Sequence, residues 1–366
     1  MKKIVVSAVN LRKGGTLTIL KNCLNYLSGL SKSGEFQVIA LVHNKELAFY
    51  EGIEYIEFPW TTKSWLHRLW CEYVTMHRIS KDLSPVYLWF SLHDTTPRVV
   101  AERRAVYCQT SFPFYRWGIN DLRFDYKIAL FSMFTRFAYR MNIKQNNFLV
   151  VQQNWLREGF SDMFGIDKSK FIVAPPEAEA QPPEITSEKN SCRSFFYAST
   201  PDTHKNFELL CRATELLERE IGKNKFSVTI TISGKENKYA SWLYKKWSDV
   251  DSLHFSGFMT KEKLYEEYNK TDCLVFPSKI ETWGLPISEF SAFGKPMLLA
   301  DLPYSYETAS NSPKVAFFDP RSPIDLKEKM RRLINGDFSL LKKVAACEIE
   351  TPVAIGWEQL FDILLN

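Results

Sequence analysis

The chain has 366 residues, 45% hydrophobic and 24% charged, with seven cysteines and a formal net charge of +5. That length exceeds one ordinary core and suits two domains; the composition excludes a disordered or fibrous chain, and scattered cysteines without a Cys-x-x-Cys exclude a zinc ribbon and predict reduced thiols in a cytoplasmic protein. The net charge conceals a split: residues 1–175 hold 23 Lys and Arg against 14 Asp and Glu (+9), and residues 176–366 hold 24 against 28 (−4), so the first part favours anionic partners.

Lys3 to Val9 reads as a buried strand, too short for the apolar core of a signal peptide. Gly14-Gly15 follows, then a helix with Leu17, Leu20, Leu24 and Leu27 at apolar spacing. A glycine pair between strand and helix lets a backbone approach a ligand. It is not the Gly-x-Gly-x-x-Gly dinucleotide fingerprint, so a nicotinamide cofactor is poorly supported. Strands are expected at 36–42 and 53–58. The segment 64–83 predicts an amphipathic helix with Trp65 and Trp70 among Arg68 and Arg78. It either packs on the sheet or lies on anionic lipid. The strand Val86–Leu92 delivers His93-Asp94, a pair at the strand end where α/β folds bind ligands. A strand over 105–109 leads to Phe112-Pro113-Phe114-Tyr115, and Asp121–Met141 predicts one helix with an aromatic face that includes Phe131 and Phe134. Residues 101–150 hold eight basic and three acidic residues. Without a nucleic-acid motif, a membrane-facing or acceptor-binding surface fits this better than nucleic acid. Strands at 147–151 and 170–174, around a helix at 154–164, close the domain.

The Pro-, Glu- and Ala-rich stretch at 176–193 reads as a linker. A strand at 194–198 then leads to a loop, Thr200 to Asn206, that carries Lys205, and to a helix over 207–221. Further on, a strand at 226–233, a short strand at 253–256 before Gly257-Phe258-Met259, and a helix at 261–269 are expected. Next comes the most informative stretch. Cys273–Phe276 has the length of a buried parallel strand and Pro277-Ser278 ends it. A loop carries Glu281 and Trp283-Gly284-Leu285, and Pro286 predicts the first helical residue. A strand, loop and helix N-terminus aim backbone N–H groups at one point, which is an anion site. Glu281 and Glu289 flank it, and a carboxylate accepts hydrogen bonds from vicinal hydroxyls of a sugar or ribose. That combination suits a nucleotide-sugar. Strands at 297–300 and 315–318 and a helix at 324–334 continue the alternation, which predicts a second parallel sheet. A last helix spans 353–364.

The stretch Pro277–Glu289, with Gly294-Lys295-Pro296 after it, resembles the Glu-x7-Glu signature of retaining glycosyltransferases of the GT-B fold, family 4. The resemblance implies two Rossmann-like parallel-sheet domains facing a cleft: residues 1–175 for the acceptor and 194–350 for the donor. Residues 351–366 would form a C-terminal helix returning to the first domain. It implies a nucleoside-diphosphate sugar as donor, no metal or other cofactor, and a glycan or lipid-linked acceptor. The setting would be surface polysaccharide or lipopolysaccharide synthesis, on the cytoplasmic side and peripheral to the membrane. Lys205 would neutralise the leaving diphosphate, Glu281 bind the donor sugar and Glu289 the ribose. Trp283, Gly284 and Leu285 would face diphosphate and sugar, Gly257, Phe258 and Met259 would border the base, and Gly14 and Gly15 would face the phosphates. His93 is expected among the catalytic residues, with Asp94 and Gln109 on the acceptor side. Two positions depart from the family's pattern: Gln109 stands where a histidine is usual, and Thr200 where an arginine is, with Lys235 a candidate to compensate. A nucleotide-sugar epimerase and a non-catalytic sugar-nucleotide-binding subunit stay open as alternatives.

Overall fold

The apolar run Lys2–Ala8 (β1) is buried on both faces: Ile4, Val6 and Ala8 enter one core layer, and Val5 with the following Val9 enters the other. The period of two along a strand separates the layers. The next strands repeat this, Val38 and Phe90 on the first side, Ile39 and Trp89 on the second. A strand apolar on both faces belongs in a parallel sheet covered by helices, and the computed structural model, which describes residues 1–176 and 190–366, shows one. Phe36–Val42 (β2), Ile53–Glu57 (β3), Leu88–Ser91 (β4), Arg103–Tyr107 (β5), Phe148–Val151 (β6) and Phe171–Val173 (β7) join β1 in the order β3-β2-β1-β4-β5-β6-β7, every pairing parallel.

The second sheet has six strands: Ser194–Tyr197 (β8), Ser227–Ile230 (β9), Leu253–Phe255 (β10), Cys273–Phe276 (β11), Met297–Ala300 (β12) and Val315–Phe318 (β13). Their order is β10-β9-β8-β11-β12-β13, again all parallel. Both sheets reverse direction of winding once, between β1 and β4 in the first and between β8 and β11 in the second. Loops leaving the C-terminal ends of such strand pairs diverge and leave a crevice where ligands bind. The loops at these two points carry Gly14-Gly15 with His93-Asp94, and Lys205 with Glu281.

The chain divides into two units. One comprises Met1–Pro113, Phe134–Glu177 and Ile349–Asn366, and the other Phe114–Met133 and Ala178–Glu348. The expected linker at 176–193 falls largely on residues outside the described ones. The C-terminal helix, Gly356–Leu365, packs on the Gly14–Ser31 helix. Phe361 stacks on Tyr26 at 5.3 Å and meets Phe90 edge-on at 5.8 Å. A short parallel bridge between Val173 and Val353 leads into it.

Three departures from the sequence expectation have physical causes. Residues 114–133, expected with the first domain, pack with the second unit because Asp121 is buried there. It accepts hydrogen bonds from the Tyr115 hydroxyl, the Gly118 N–H at 2.7 Å and the Thr203 hydroxyl, while Phe124 lies 4.9 Å from Trp242. The single helix expected over 121–141 is two, Ile119–Phe124 and Tyr126–Arg140, because Asp125 leaves the helical region with φ −150°. The helix expected over 64–83 is interrupted by a π-helical turn at Cys71–Thr75 between Trp65–Trp70 and Met76–Asp82. Two further helices, Lys238–Trp247 and Pro303–Thr308, were not expected.

Candidate active site

In the second unit the site grows from the ends of β8 and β11. A 3-10 turn, Thr203–Lys205, follows β8 and ends at Asn206, which takes the left-handed conformation at φ +59°. Asparagine tolerates that region better than most residues. Its side-chain amide donates to the carbonyls of Pro277 and Pro320 at 3.1 and 2.9 Å, which pins the turn to the loop after β11. Buried Tyr197 ties the same two loops, its hydroxyl donating to Lys205 O at 2.8 Å and lying 3.1 Å from Ser278 Oγ. Held this way, Lys205 Nζ sits 2.6 Å from Glu281 Oε1, with only 16% and 12% of the two side chains exposed. A pair so sheltered from water gains little net stability, because desolvation offsets attraction. Its value is a cation and a carboxylate fixed at one spot.

Lys279 was not expected at the site. Its Nζ donates to Thr203 O at 3.2 Å and pairs with Glu208 at 2.9 Å, and its N–H donates to His204 O. Burial, and then the neighbouring Lys205 and Lys279, push the His204 imidazole well below its ordinary pKa, so it adds no positive charge. Thr200 Oγ1 donates to Asp202 at 2.7 Å, and Lys235 is exposed on the turn after β9.

The loop after β11 turns into a short helix, Leu285–Ser291, which begins one residue before the expected Pro286. Gly284 caps it at φ +91°, a conformation that favours glycine, and a Cβ there would lie 3.3 Å from Ile287. The Trp283 indole donates to Ser288 Oγ at 3.1 Å, and the Trp283 carbonyl accepts from the Thr308 hydroxyl. Glu289 accepts a hydrogen bond from buried Tyr268 at 3.2 Å. Burial and the adjacent Glu289 raise that phenol well above its usual range, so it stays a donor. Gly257 turns the chain after β10 at φ +75°, leaving Phe258 exposed and Met259 partly buried beside it.

In the first unit, Gly14 (φ +64°) and Gly15 open the Gly14–Ser31 helix with no heavy atom within 4 Å of where a Cβ would stand. The loop after β4 carries a different arrangement. His93 is fully buried, with Nδ1 3.2 Å from Thr95 Oγ1 and 3.4 Å from Glu72 Oε1. Burial lowers its pKa to about 4, more than the carboxylate beside it can offset, so the imidazole is neutral at pH 7. It was expected to reach substrate, but the structure turns it inward onto Glu72. The π-helical turn delivers that glutamate, a placement such turns often serve at functional sites. Arg68 Nε donates to Glu72 at 2.7 Å and its terminal nitrogen donates to His93 O at 2.7 Å, while Thr95 donates to the second carboxylate oxygen at 2.6 Å. Burial alone would raise the Glu72 carboxyl. His93, the Arg68 guanidinium and hydrogen bonds from Arg68 and Thr95 bring it below its ordinary value.

Asp94 takes φ +69° and accepts from the Gln109 N–H at 2.6 Å and the Tyr139 hydroxyl at 2.7 Å. Burial raises its pKa. The Gln109 side chain donates to Leu92 O at 2.6 Å, and its carbonyl oxygen is buried without a partner among the described residues. The structure therefore gathers His93, Asp94 and Gln109 in one place and adds Arg68, Glu72 and Tyr139 to them. Among the described residues no group of three or more His, Cys, Asp or Glu side chains is placed to hold a metal ion.

The sequence pattern described as glycosyl transferases group 1 matches residues 178–348. The O-antigen chain mannosyltransferase RfbU of Salmonella typhimurium is 21% identical over 198 residues, 53% of this chain and 54% of that protein, so the chain matches about half of that relative's length. Among solved structures, the apo form of the lipopolysaccharide outer core galactosyltransferase WaaB has a TM-score of 0.62 at 12% identity, over 92% of this chain and 91% of the other. Anabaena HepE in complex with UDP and glucose has a TM-score of 0.59 at 11% identity, over 93% and 92%. Likeness at these identities is a likeness of fold.

Proposed function

We propose that this chain, two parallel-sheet units of the GT-B fold with a glycosyl transferases group 1 domain over residues 178–348, transfers a sugar from a nucleoside diphosphate with retention of anomeric configuration. One observation carries the reading: Lys205 and Glu281 held 2.6 Å apart beside a glycine-capped helix that bears Glu289. In the free protein each group is the other's counter-ion. A bound donor would replace both, its diphosphate meeting Lys205 and its sugar hydroxyls meeting Glu281. Glu289, steadied by Tyr268, would accept from the ribose hydroxyls. The bond between the anomeric carbon and the phosphate oxygen breaks as the acceptor oxygen approaches from the same face. The departing phosphate oxygen takes the acceptor's proton. Charge on the leaving diphosphate is met by Lys205 and backbone N–H groups already in place, which is where fixed electrostatics accelerate a reaction most. No metal enters this scheme.

The acceptor would use the first unit, where Asp94 stands beside buried His93 and Gln109. The relatives' names, a mannosyltransferase of the O-antigen chain and a galactosyltransferase of the lipopolysaccharide outer core, support a hexose as the sugar and a cell-surface glycan as the acceptor; a lipid-linked precursor of that glycan, and work on the cytoplasmic side of a membrane, extend the same proposal. Titration calorimetry with UDP, GDP and dTDP selects the base. Incubation of the matching nucleotide-sugars with lipid-linked acceptor, followed by NMR of the anomeric proton, then tests transfer. Failure to bind any of the three diphosphates at millimolar concentration, or a product of inverted configuration, would refute the reading. An isomerised donor formed without acceptor would indicate an epimerase.

A further inference from the structure

We propose that Arg68 and Glu72 are positioning residues that act as one ion pair on Asp94, fixing both the direction of its carboxylate and its negative charge. The pair grips the residue on each side of Asp94. A terminal nitrogen of Arg68 donates to the carbonyl of His93 at 2.7 Å, and the Thr95 hydroxyl donates to Glu72 at 2.6 Å. Arg68 Nε closes the pair on the other oxygen of Glu72 at 2.7 Å, and the Glu72 side chain is only 1% exposed. The Thr95 N–H also donates to His93 O, at 2.8 Å, so the chain turns tightly about Asp94. Asp94 stands there at φ +69°, in the left-handed region that the surroundings impose on a residue other than glycine. All of these residues belong to the first unit.

The charges around Asp94 compete. It is faced by the Gln109 N–H at 2.6 Å and the Cys108 thiol from the end of β5, and by the Tyr139 hydroxyl at 2.7 Å. His93 and Thr95 flank it in its own loop, and Arg68 and Glu72 reach it through them. Burial pushes the Cys108 thiol and the Tyr139 phenol up and the His93 imidazole down, so these three are neutral at pH 7. Two carboxylates are thereby left with one guanidinium. Burial works against a charge on Asp94, while the Tyr139 hydroxyl, Arg68 and the Gln109 N–H work for it. Glu72 holds Arg68 in place and also draws on its charge, so the two acids share one cation. A carboxylate kept ionised accepts from sugar hydroxyls, whereas a protonated one would donate. The assignment rests on the proposed function for one point, that the acceptor's hydroxyls meet Asp94.

The test follows the Asp94 carboxyl by carbon NMR in the full chain, labelled at the side-chain carboxyl of aspartate, with Asp94→Asn to assign the signal. Arg68→Gln should move its titration up by about one to three pH units, because the cation is gone. Glu72→Gln should move it down, because the competing acid is gone and the cation remains. Arg68→Lys should bring it back towards wild type, since it restores the charge. Glu72→Gln keeps the shape of its side chain and the charge of Arg68, so it decides the matter even where Arg68→Gln does not fold. In transfer to lipid-linked acceptor at pH 7, Arg68→Gln should raise acceptor KM by roughly tenfold, the loss of one charge-assisted hydrogen bond, and leave donor KM as it was. Two results overturn the proposal: Asp94 titrates alike in every chain, or Glu72→Gln moves it in the same direction as Arg68→Gln. An acceptor KM unmoved while the titration shifts would overturn the link to the acceptor. Opposite shifts in a chain that transfers no sugar would sink the transfer reading and leave the control of Asp94 standing.

Discussion

Lys205 and Glu281 neutralise each other across 2.6 Å, so removing either side chain acts twice. On the proposed reading it removes a contact to the donor, and it leaves its neighbour's charge without its counter-ion. For Lys205→Ala we expect kcat to fall by about 10²–10³, the usual effect of deleting one stabilising donor. Affinity for the nucleoside monophosphate should change only slightly, because in the proposed scheme the lysine meets the diphosphate. Steady-state rates beside monophosphate titration check this, and a near-wild-type rate would move the charge to Lys279 or Lys235. His93 offers a test that needs no substrate. Its folded pKa of about 4 lies below the ordinary 6.5, so between those values the unfolded chain binds a proton that the folded imidazole refuses. Stability contributed by neutral His93 is therefore complete above pH 6.5 and is lost as pH falls toward 4, by an amount on the order of 3 kcal/mol. Melting wild type and His93→Asn from pH 7 to 4.5 should show the steeper fall in wild type; parallel curves would refute it. These residues also divide what a sequence reveals. Lys205, Glu281 and Glu289 stand in short loops beside strands and helix starts that their neighbours announce. Glu72 and Arg68 do not, because their partners Thr95 and His93 lie 23 and 25 positions away and nothing local marks a glutamate for burial.

Elements were legible in proportion to how local their causes are. β2, β11, β12 and the Asn154–Phe164 and Phe207–Ile221 helices stand where period and punctuation put them. The Pro303–Thr308 helix is one turn and a half, too short for any period to show. Segment 114–133 was assigned to the wrong unit because chain order suggested the first, while one buried carboxylate decides for the second. Asp121 satisfies two side chains and a backbone N–H at once, so Asp121→Ala should cost about 2–3 kcal/mol by leaving buried donors unmatched. Because Thr203 stands two residues before Lys205, turnover should fall as well as stability. Urea unfolding and steady-state rates measure both. A stability loss with unaltered kinetics would confine Asp121 to holding the segment in place.

At the scale of the whole molecule, the fold class and the two sheets could be read from alternating strands and helices. That the C-terminal helix packs with the first sheet, as the family resemblance implied, was not legible in the residues themselves, since it depends on contacts across the length of the chain. Phe361 is fully buried against Tyr26 and Phe90, so Phe361→Ala should destabilise the first unit by about 3–5 kcal/mol. Nucleotide affinity of the second unit should stay as it was, and calorimetry of the variant beside its unfolding curve checks both expectations. The same helix sets an order of events during synthesis. Residues 349–366 leave the ribosome after the entire second unit, yet the first unit's core is incomplete without them. The usual sequence, in which the N-terminal domain finishes folding while the rest is still being made, is closed to this chain. Its first sheet must wait, partly uncovered and open to chaperones, until the last helix arrives, so the nascent protein cannot complete its first unit before its second has been translated.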